Sequence, residues 1–289
     1  MEHRRIDIAT NFNDLYVKQG ATMILSALAT NPDRDIYVHV FTDALSDTNV
    51  GLLQQTVQDR RGQVIVHPIG DDLLGQFPEC HYLNFARVLY GRLLMPQMLD
   101  TGIKRVLYLD ADTIVAGDIS ELWETDLQGK TIGVVPDMLH WNRPLLHQYT
   151  DIDVRDVYFN GGVILFDLER WRATHVTERL MRFAVAPPCK IFFADQDLLN
   201  IVLEHEKYEL PLRCNAQEGF FGDMPDIPAT VCRQLRQAAS DPLIVHFLGY
   251  EENRPWNDSC THPLRHLWRS YYALTPWGLK HVSPKIDKK

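Results

Sequence analysis

Strand-type and helix-type segments alternate through the first hundred residues, and this order constrains the fold more than any other feature. Arg5-Ile6-Asp7-Ile8-Ala9 reads as a short strand, residues 21–28 (ATMILSAL) as a helix ending near Asn31-Pro32, and Asp35 to Phe41 as a β-rich run. A polar helix over 49–60 and a strand over 63–68 come next. Phe85 to Leu94 shows helical spacing, with Phe85, Val88, Leu89 and Arg92 at related positions, and Arg105 to Leu109 is a further strand. Strands separated by helix-length segments pair side by side while the helices cross the faces. The expected fold is therefore α/β, a Rossmann-like, mostly parallel sheet flanked by helices. Ligands of such sheets bind beyond the carboxyl ends of the strands.

The second half keeps this style with irregular insertions. Thr131 to Val135 and Phe159 to Phe166 read as strands, 176–184 and 197–204 as helices, and Pro242 to Phe247 as a late buried strand. Leu264, Leu267, Trp268 and Tyr271 form the stripe of an amphipathic helix that ends before Pro276. No repeat, low-complexity tract or Gly/Pro/Ser linker interrupts the chain. Its 289 residues allow one or two domains, and the expectation is one domain over 1–258 with a small helical extension and basic tail over 259–289.

Charge narrows the function classes. Lys and Arg number 29 against 38 Asp and Glu, a formal net charge of −9. Such a chain is a poor general binder of polyanions, which excludes nucleic acid as the expected partner. A phosphorylated ligand would need a local counter-charge, such as a metal ion. Five widely spaced cysteines (Cys80, Cys189, Cys214, Cys232, Cys260) form no C-x-x-C pair and read as reduced thiols. Asp7 breaks the apolar run that a secretory signal needs, and no stretch has the 18 or so apolar residues of a membrane span. The expected location is cytoplasmic.

Four segments carry chemistry. Leu107-Tyr108-Leu109 runs into Asp110-Ala111-Asp112. Alternate residues of an extended chain project to one side, so both carboxylates can face a common point and offer oxygen ligands to Mg²⁺ or Mn²⁺. A strand ending in a solvated acidic turn would read the same. His246 closes the apolar Leu243-Ile244-Val245 and can supply an imidazole to that site, or serve as a strand-end histidine. In Tyr158-Phe159-Asn160-Gly161-Gly162, paired glycines allow close backbone approach to a ligand, and Asn160 can donate to a sugar hydroxyl. Asp195-Gln196-Asp197 opens a helix, where one carboxylate serves as a cap and the cluster can also face a substrate. His39, inside Tyr37-Val38-His39-Val40, reads as a core histidine.

Taken in order, these segments resemble the family 8 retaining glycosyltransferases of the GT-A fold, similar to bacterial enzymes of lipopolysaccharide synthesis and more distantly to glycogenin. The resemblance runs from about Ile6 to Trp256 and includes VLYLDADTIVAGDISELW (106–123), YFNGGVILFDLERW (158–171), D-Q-D-L-L-N and H-F-x-G. It implies transfer of galactose or glucose from UDP-galactose or UDP-glucose to a glycan or lipid-linked glycan acceptor. Asp110, Asp112 and His246 would bind Mn²⁺, with Mg²⁺ as the alternative. Donor contacts are implied for Ala9, Asn11, Asn13, Arg87, Asp110, Ala111, Asp112, Asp137, Asn160, Gly249 and Arg254. Asp195 and Gln196 stand beside the reacting carbon. Two positions depart from the family: Asn11 replaces a common Asp, and the segment from His246 to Trp256 is two residues longer, with Arg254 in place of a lysine. Arginine can bind phosphate bidentately. The alternatives are a glycogenin-like self-glucosylating transferase and a UDP-sugar binding module without activity. The tail carrying Lys280, His281, Lys285, Lys288 and Lys289 suggests weak peripheral association with anionic membrane.

Overall fold

The structure is a computed structural model. It describes residues 4–58, 60–75, 77, 87–150, 152, 156–185, 191–224 and 226–282, with backbone only at 87, 251 and 280–282. Its strands are β1 (Arg5–Asn11), β2 (Asp35–Thr42), β3 (Gly62–Pro68), β4 (Arg105–Leu109), β5 (Thr113–Val115), β6 (Ile132–Pro136), β7 (Phe159–Asp167), β8 (Lys207–Glu209), β9 (Ala216–Gln217) and β10 (Ile244–His246). Its helices are α1 (Val17–Thr30), α2 (Asp47–Val57), α3 (Asp71–Leu74), α4 (Gly91–Met98), α5 (Ser120–Glu124), α6 (Met138–Trp141), α7 (Arg143–Tyr149), α8 (Leu168–Ala173), α9 (Val176–Val185), α10 (Ala194–Val202), α11 (Ala229–Ser240), α12 (Arg265–Ala273) and α13 (Pro276–Val282).

Seven strands form the main sheet in the order β3-β2-β1-β4-β7-β6-β8. β1, β2, β3 and β4 run parallel, β7 is antiparallel to both β4 and β6, and β8 is parallel to β6. Both faces are covered, as the apolar strands require. Ile6, Ile8 and Val38 pack with Ala21, Ile24 and Leu28 of α1 on one side. Ala9, Phe41 and Tyr108 pack with Leu93 and Leu94 of α4 on the other. The chain leaves β1 toward β2 and β3, then returns to the opposite side of β1 as β4. The carboxyl ends of β1 and β4 thus flank a topological switch point, the usual place for a ligand crevice. The expected α/β architecture is present.

Several details differ from the sequence reading. The run from Pro242 to Phe247 does not extend the main sheet. Its three-residue core, β10, joins a separate small sheet in the order β5-β10-β9. Strands of two or three residues carry too little alternation to be read from sequence. The helix read over 85–94 is a 3₁₀ turn at Arg87–Tyr90 followed by α4, which continues through Pro96; Phe85 and Ala86 lie outside the described residues. α11 and α13 were not anticipated. α11 is polar but buries Leu235 and Ala238, and α13 starts at Pro276, whose fixed φ suits a first helical position. Cys214, Cys232 and Cys260 are free thiols; Cys80 and Cys189 lie outside the described residues, as do residues 283–289 and the side chains of Lys280 and His281. Among the described residues no helix is long and apolar enough to cross a membrane.

One polar chain crosses the parallel half of the sheet. Asp7 on β1, His39 on β2 and His67 on β3 share a face, with His39 Nε2 3.0 Å from Asp7 Oδ1 and His39 Nδ1 3.0 Å from His67 Nε2. His39 is the buried core histidine expected from sequence. The His67 ring stacks on Phe41, with centroids 4.8 Å apart. Burial, with His39 adding to it, pushes the His67 imidazole down to about 4. A histidine whose folded pKa lies below its unfolded value near 6.5 favours the folded state above pH 6.5, and that contribution is lost as pH falls from 6.5 toward 4. His67→Phe keeps the ring and removes the titration. Thermal melts between pH 7.5 and 4.5 should show a smaller fall in Tm for this variant than for the wild type; parallel falls would contradict the assignment.

Candidate active site

The site is built around the end of β4. Tyr108 and Leu109 are fully buried, and the chain turns at Asp110, whose N–H donates to Gly162 O at 2.9 Å. Thr113 closes the turn, its N–H and hydroxyl both donating to Asp110 O. β5 then leaves toward the small sheet, pairing His246 with Thr113, while Phe247 N–H donates to Asp112 O. The small sheet, invisible in the sequence, is therefore what carries His246 to the D-x-D turn. Ligand atoms of Asp110, Asp112 and His246 lie within 4.8 Å of one another. His246 Nε2 sits 3.2 Å from Asp112 Oδ1 and 3.8 Å from Asp110 Oδ2.

Whether these residues fit a cation can be judged from the imidazole. His246 is 1% exposed, and its Nε2 is buried without a hydrogen-bond partner. Its Nδ1 is committed to Asn215 Oδ1 at 3.0 Å. Two carboxylates and a ring nitrogen converging on one point form an oxygen–nitrogen donor set of the kind that suits Mn²⁺. The residues fit. Burial works to raise the Asp112 carboxyl, but His246 and the Arg254 guanidinium outweigh it and hold Asp112 below the usual carboxylate range.

The paired glycines have a different use from the one expected. A Cβ at Gly162 would overlap the His246 ring, and one at Gly161 would lie 2.8 Å from Arg92 Nη1. The space is filled by the protein's own imidazole and guanidinium rather than by close approach of a ligand. The ladder accommodates them, because β6–β7 pairing shifts register between Val134 and Val135, opposite this segment.

Arg92 is the residue that sequence reasoning missed. On α4 it reads as one position of an apolar stripe, yet it is 4% exposed and lies among carboxylates. Its Nε pairs with Asp195, its Nη1 donates to Gly161 O, its Nη2 is 3.3 Å from Asp110 Oδ1, and its guanidinium lies 4.4 Å from the Tyr108 ring centroid. The available signal was an arginine on a face otherwise buried, since a buried charge needs partners. Burial opposes its charge, and Asp195 outweighs that and raises its pKa. Burial pushes the Asp195 carboxyl up to about 6 even with Arg92 opposing. Of Arg87 only the backbone is described.

Behind this pair, Gln196 Oε1 accepts from Gly161 N–H at 2.8 Å, and its Nε2 faces Tyr158 Oη at 3.2 Å. Asp197, inside the first turn of α10, ties down the chain entering the helix, accepting from the N–H groups of Phe192 and Phe193 and from Tyr158 Oη. Asp137 caps α6 by accepting from Leu139 N–H, and burial raises its pKa. Asn160 has both polar ends in use: Nδ2 donates to Asp137 Oδ2, and Oδ1 accepts from Gly162 N–H and Asn215 Nδ2.

The remaining candidates rim the crevice. Asn11, at the end of β1, donates to Val88 O and Leu89 O, leaving its buried Oδ1 without a partner. Ala9 is fully buried within β1, so its methyl belongs to the core, and Ala111 is likewise buried between the two carboxylates. Asn13 Oδ1 accepts from Leu15 N–H in the loop after β1. Arg254 pairs with Asp112, donates to Phe247 O at 2.7 Å, and lies 5.4 Å from the Trp256 ring, which meets Tyr16 edge-on. The longer loop therefore still delivers its cation to the carboxylates. Gly249, before it, takes φ +89°, a conformation glycine adopts freely.

Comparison with known proteins gives the family. Residues 7–260 match the family model Glycosyl transferase family 8. General stress protein A of Bacillus subtilis is 30% identical over 273 residues, covering 92% of each chain. A lipopolysaccharide 1,2-glucosyltransferase of Escherichia coli is 24% identical, covering 98% of this chain and 81% of the relative. Among solved structures, the galactosyltransferase LgtC in complex with donor and acceptor sugar analogs superposes with TM-score 0.79 at 21% identity, covering 97% of this chain and 98% of that one. The fold is of the GT-A type, and the chain is a member of glycosyltransferase family 8.

Proposed function

We propose that the chain moves a hexose, galactose or glucose, from a UDP-sugar to a glycan or lipid-linked glycan acceptor with retention of the α configuration. The carrying observation is the buried, unpartnered Nε2 of His246 facing Asp110 and Asp112. These three residues would hold Mn²⁺ or Mg²⁺, which when bound neutralises a diphosphate and stabilises it as a leaving group. The names of the lipopolysaccharide glucosyl- and galactosyltransferase relatives support a hexose donor and a surface-glycan product. Residues 1–258 would form the transferase unit and 259–289 its extension.

The chain's own residues divide the work. Asn11 Oδ1, a buried acceptor lacking a donor, suits an N–H of the uracil ring. Arg254 adds positive charge beside Asp112, where the diphosphate would lie. Asp137, held by Asn160, and Arg92 line the hexose end. Asp195 is tied to Arg92, and Gln196 is a poor nucleophile. This favours a front-face route over a double displacement. The bond from the anomeric carbon to the diphosphate oxygen breaks, the acceptor oxygen bonds to the same face, and its proton passes to the departing diphosphate.

Two measurements test the proposal. Asp112→Ala should keep its melting temperature within a few degrees while metal-dependent release of UDP from UDP-galactose or UDP-glucose falls at least about 100-fold; unchanged release would remove Asp112 from the site. Mass spectrometry of protein incubated with donor alone should find no hexose on Asp195; a glycosyl-Asp195 adduct would replace the front-face route with a covalent one.

A further inference from the structure

We infer that Asn215 is a positioning residue that fixes which nitrogen of His246 faces the carboxylates and joins it to the sugar-side pair Asn160 and Asp137. The inference rests on the metal-site reading above. Amide and imidazole orientations are ordinarily ambiguous, because oxygen and nitrogen look alike. Here a backbone group removes the ambiguity. Gly162 N–H can only donate, and it lies 3.0 Å from one end of the Asn160 amide, which must therefore be the oxygen. That leaves Asn160 Nδ2 to donate to Asp137 Oδ2 at 3.0 Å. The same Asn160 oxygen is 3.0 Å from Asn215, so Asn215 presents its NH₂ there and turns its own oxygen to His246. An amide oxygen accepts only, so His246 Nδ1 must carry a hydrogen. Nε2 is then the nitrogen turned to Asp110 and Asp112 and available to a metal ion.

Asn215 is fully buried, and its two ends serve the two halves of the site. Reversal would set two acceptors against each other at Asn160 and present an NH₂ to His246, which would drive the ring hydrogen to Nε2, on the side of the carboxylates. Asn215 ends a 3₁₀ turn at Leu212–Asn215 immediately before β9, and nothing in its local sequence distinguishes it.

The test compares wild type with Asn215→Leu, which keeps bulk and loses both bonds, and Asn215→Asp, which keeps the acceptor toward His246 and loses the donor toward Asn160. Mn²⁺ binding in the presence of UDP is read by electron paramagnetic resonance. The His246 ring nitrogens are read by NMR on metal-free protein at pH 8.5. Wild type should carry its ring hydrogen on Nδ1. Asn215→Leu should lose that preference and bind Mn²⁺ about 10–100-fold more weakly. Asn215→Asp should stay within a few-fold of wild type for Mn²⁺ while its KM for UDP-hexose rises. Wild-type Mn²⁺ affinity in a folded Asn215→Leu, or a bare Nδ1 in wild type, would overturn the inference. If Asn215→Leu fails to fold, loss of Mn²⁺ binding in Asn215→Asp would overturn it equally. A wild type with the Nδ1 hydrogen in place but no Mn²⁺ binding would overturn the metal reading and leave the tautomer assignment supported.

Discussion

The fold has to hold several carboxylates together out of water. Asp110 and Asp112, half-buried, leave the end of β4, while Asp195 enters from α10 and Asp137 from the turn after β6, both buried. Like charges at such range cannot all stay ionised without nearby positive charge, and an unpaired buried charge is costly. Arg92 serves the Asp195 side and Arg254 the Asp112 side. Between them Nε2 of His246 meets Asp110 and Asp112, a donor set that would suit a further cation. Two arginines do not balance four carboxylates, and a divalent cation bound here would make up the difference, which is how a chain of net charge −9 could hold the proposed diphosphate donor.

Geometry follows from this charge problem. The small sheet exists at the position where it can carry His246 against the D-x-D turn, and Gly162 exists where the imidazole needs room. The register shift between β6 and β7 leaves Gly161 and Gly162 without partners on β6, so that Gly161 bonds to Gln196 and Arg92 and Gly162 to the Asn160 side chain instead. Removing one member leaves several buried polar groups short of partners, which is why networks of this kind hold a single arrangement.

The parts legible in sequence were those with a local signal. The strands carry apolar runs, Asp110 and His246 each end one, and Asp112 follows Asp110 by two residues, so both fold class and the acidic pair could be read directly. Arg92 could not, because its role depends on Asp195 a hundred residues away, and locally it looks like one more position on a helical stripe. Asn215 ends a four-residue 3₁₀ turn, too short to show a period. β5, β9 and β10 are too short to show alternation, although they decide where His246 goes. The glycine pair was visible, but its occupant was not, since only packing reveals that protein side chains fill the space.

The central claim is that Asp110, Asp112 and His246 form a cation site that binds the diphosphate of a UDP-sugar. Calorimetric titration of the full chain with UDP, with and without Mn²⁺, addresses it most directly. The expected result is clear UDP binding with Mn²⁺ and affinity at least about tenfold weaker in chelator, about 1.4 kcal/mol in binding free energy. Equal UDP affinity under both conditions would contradict the claim.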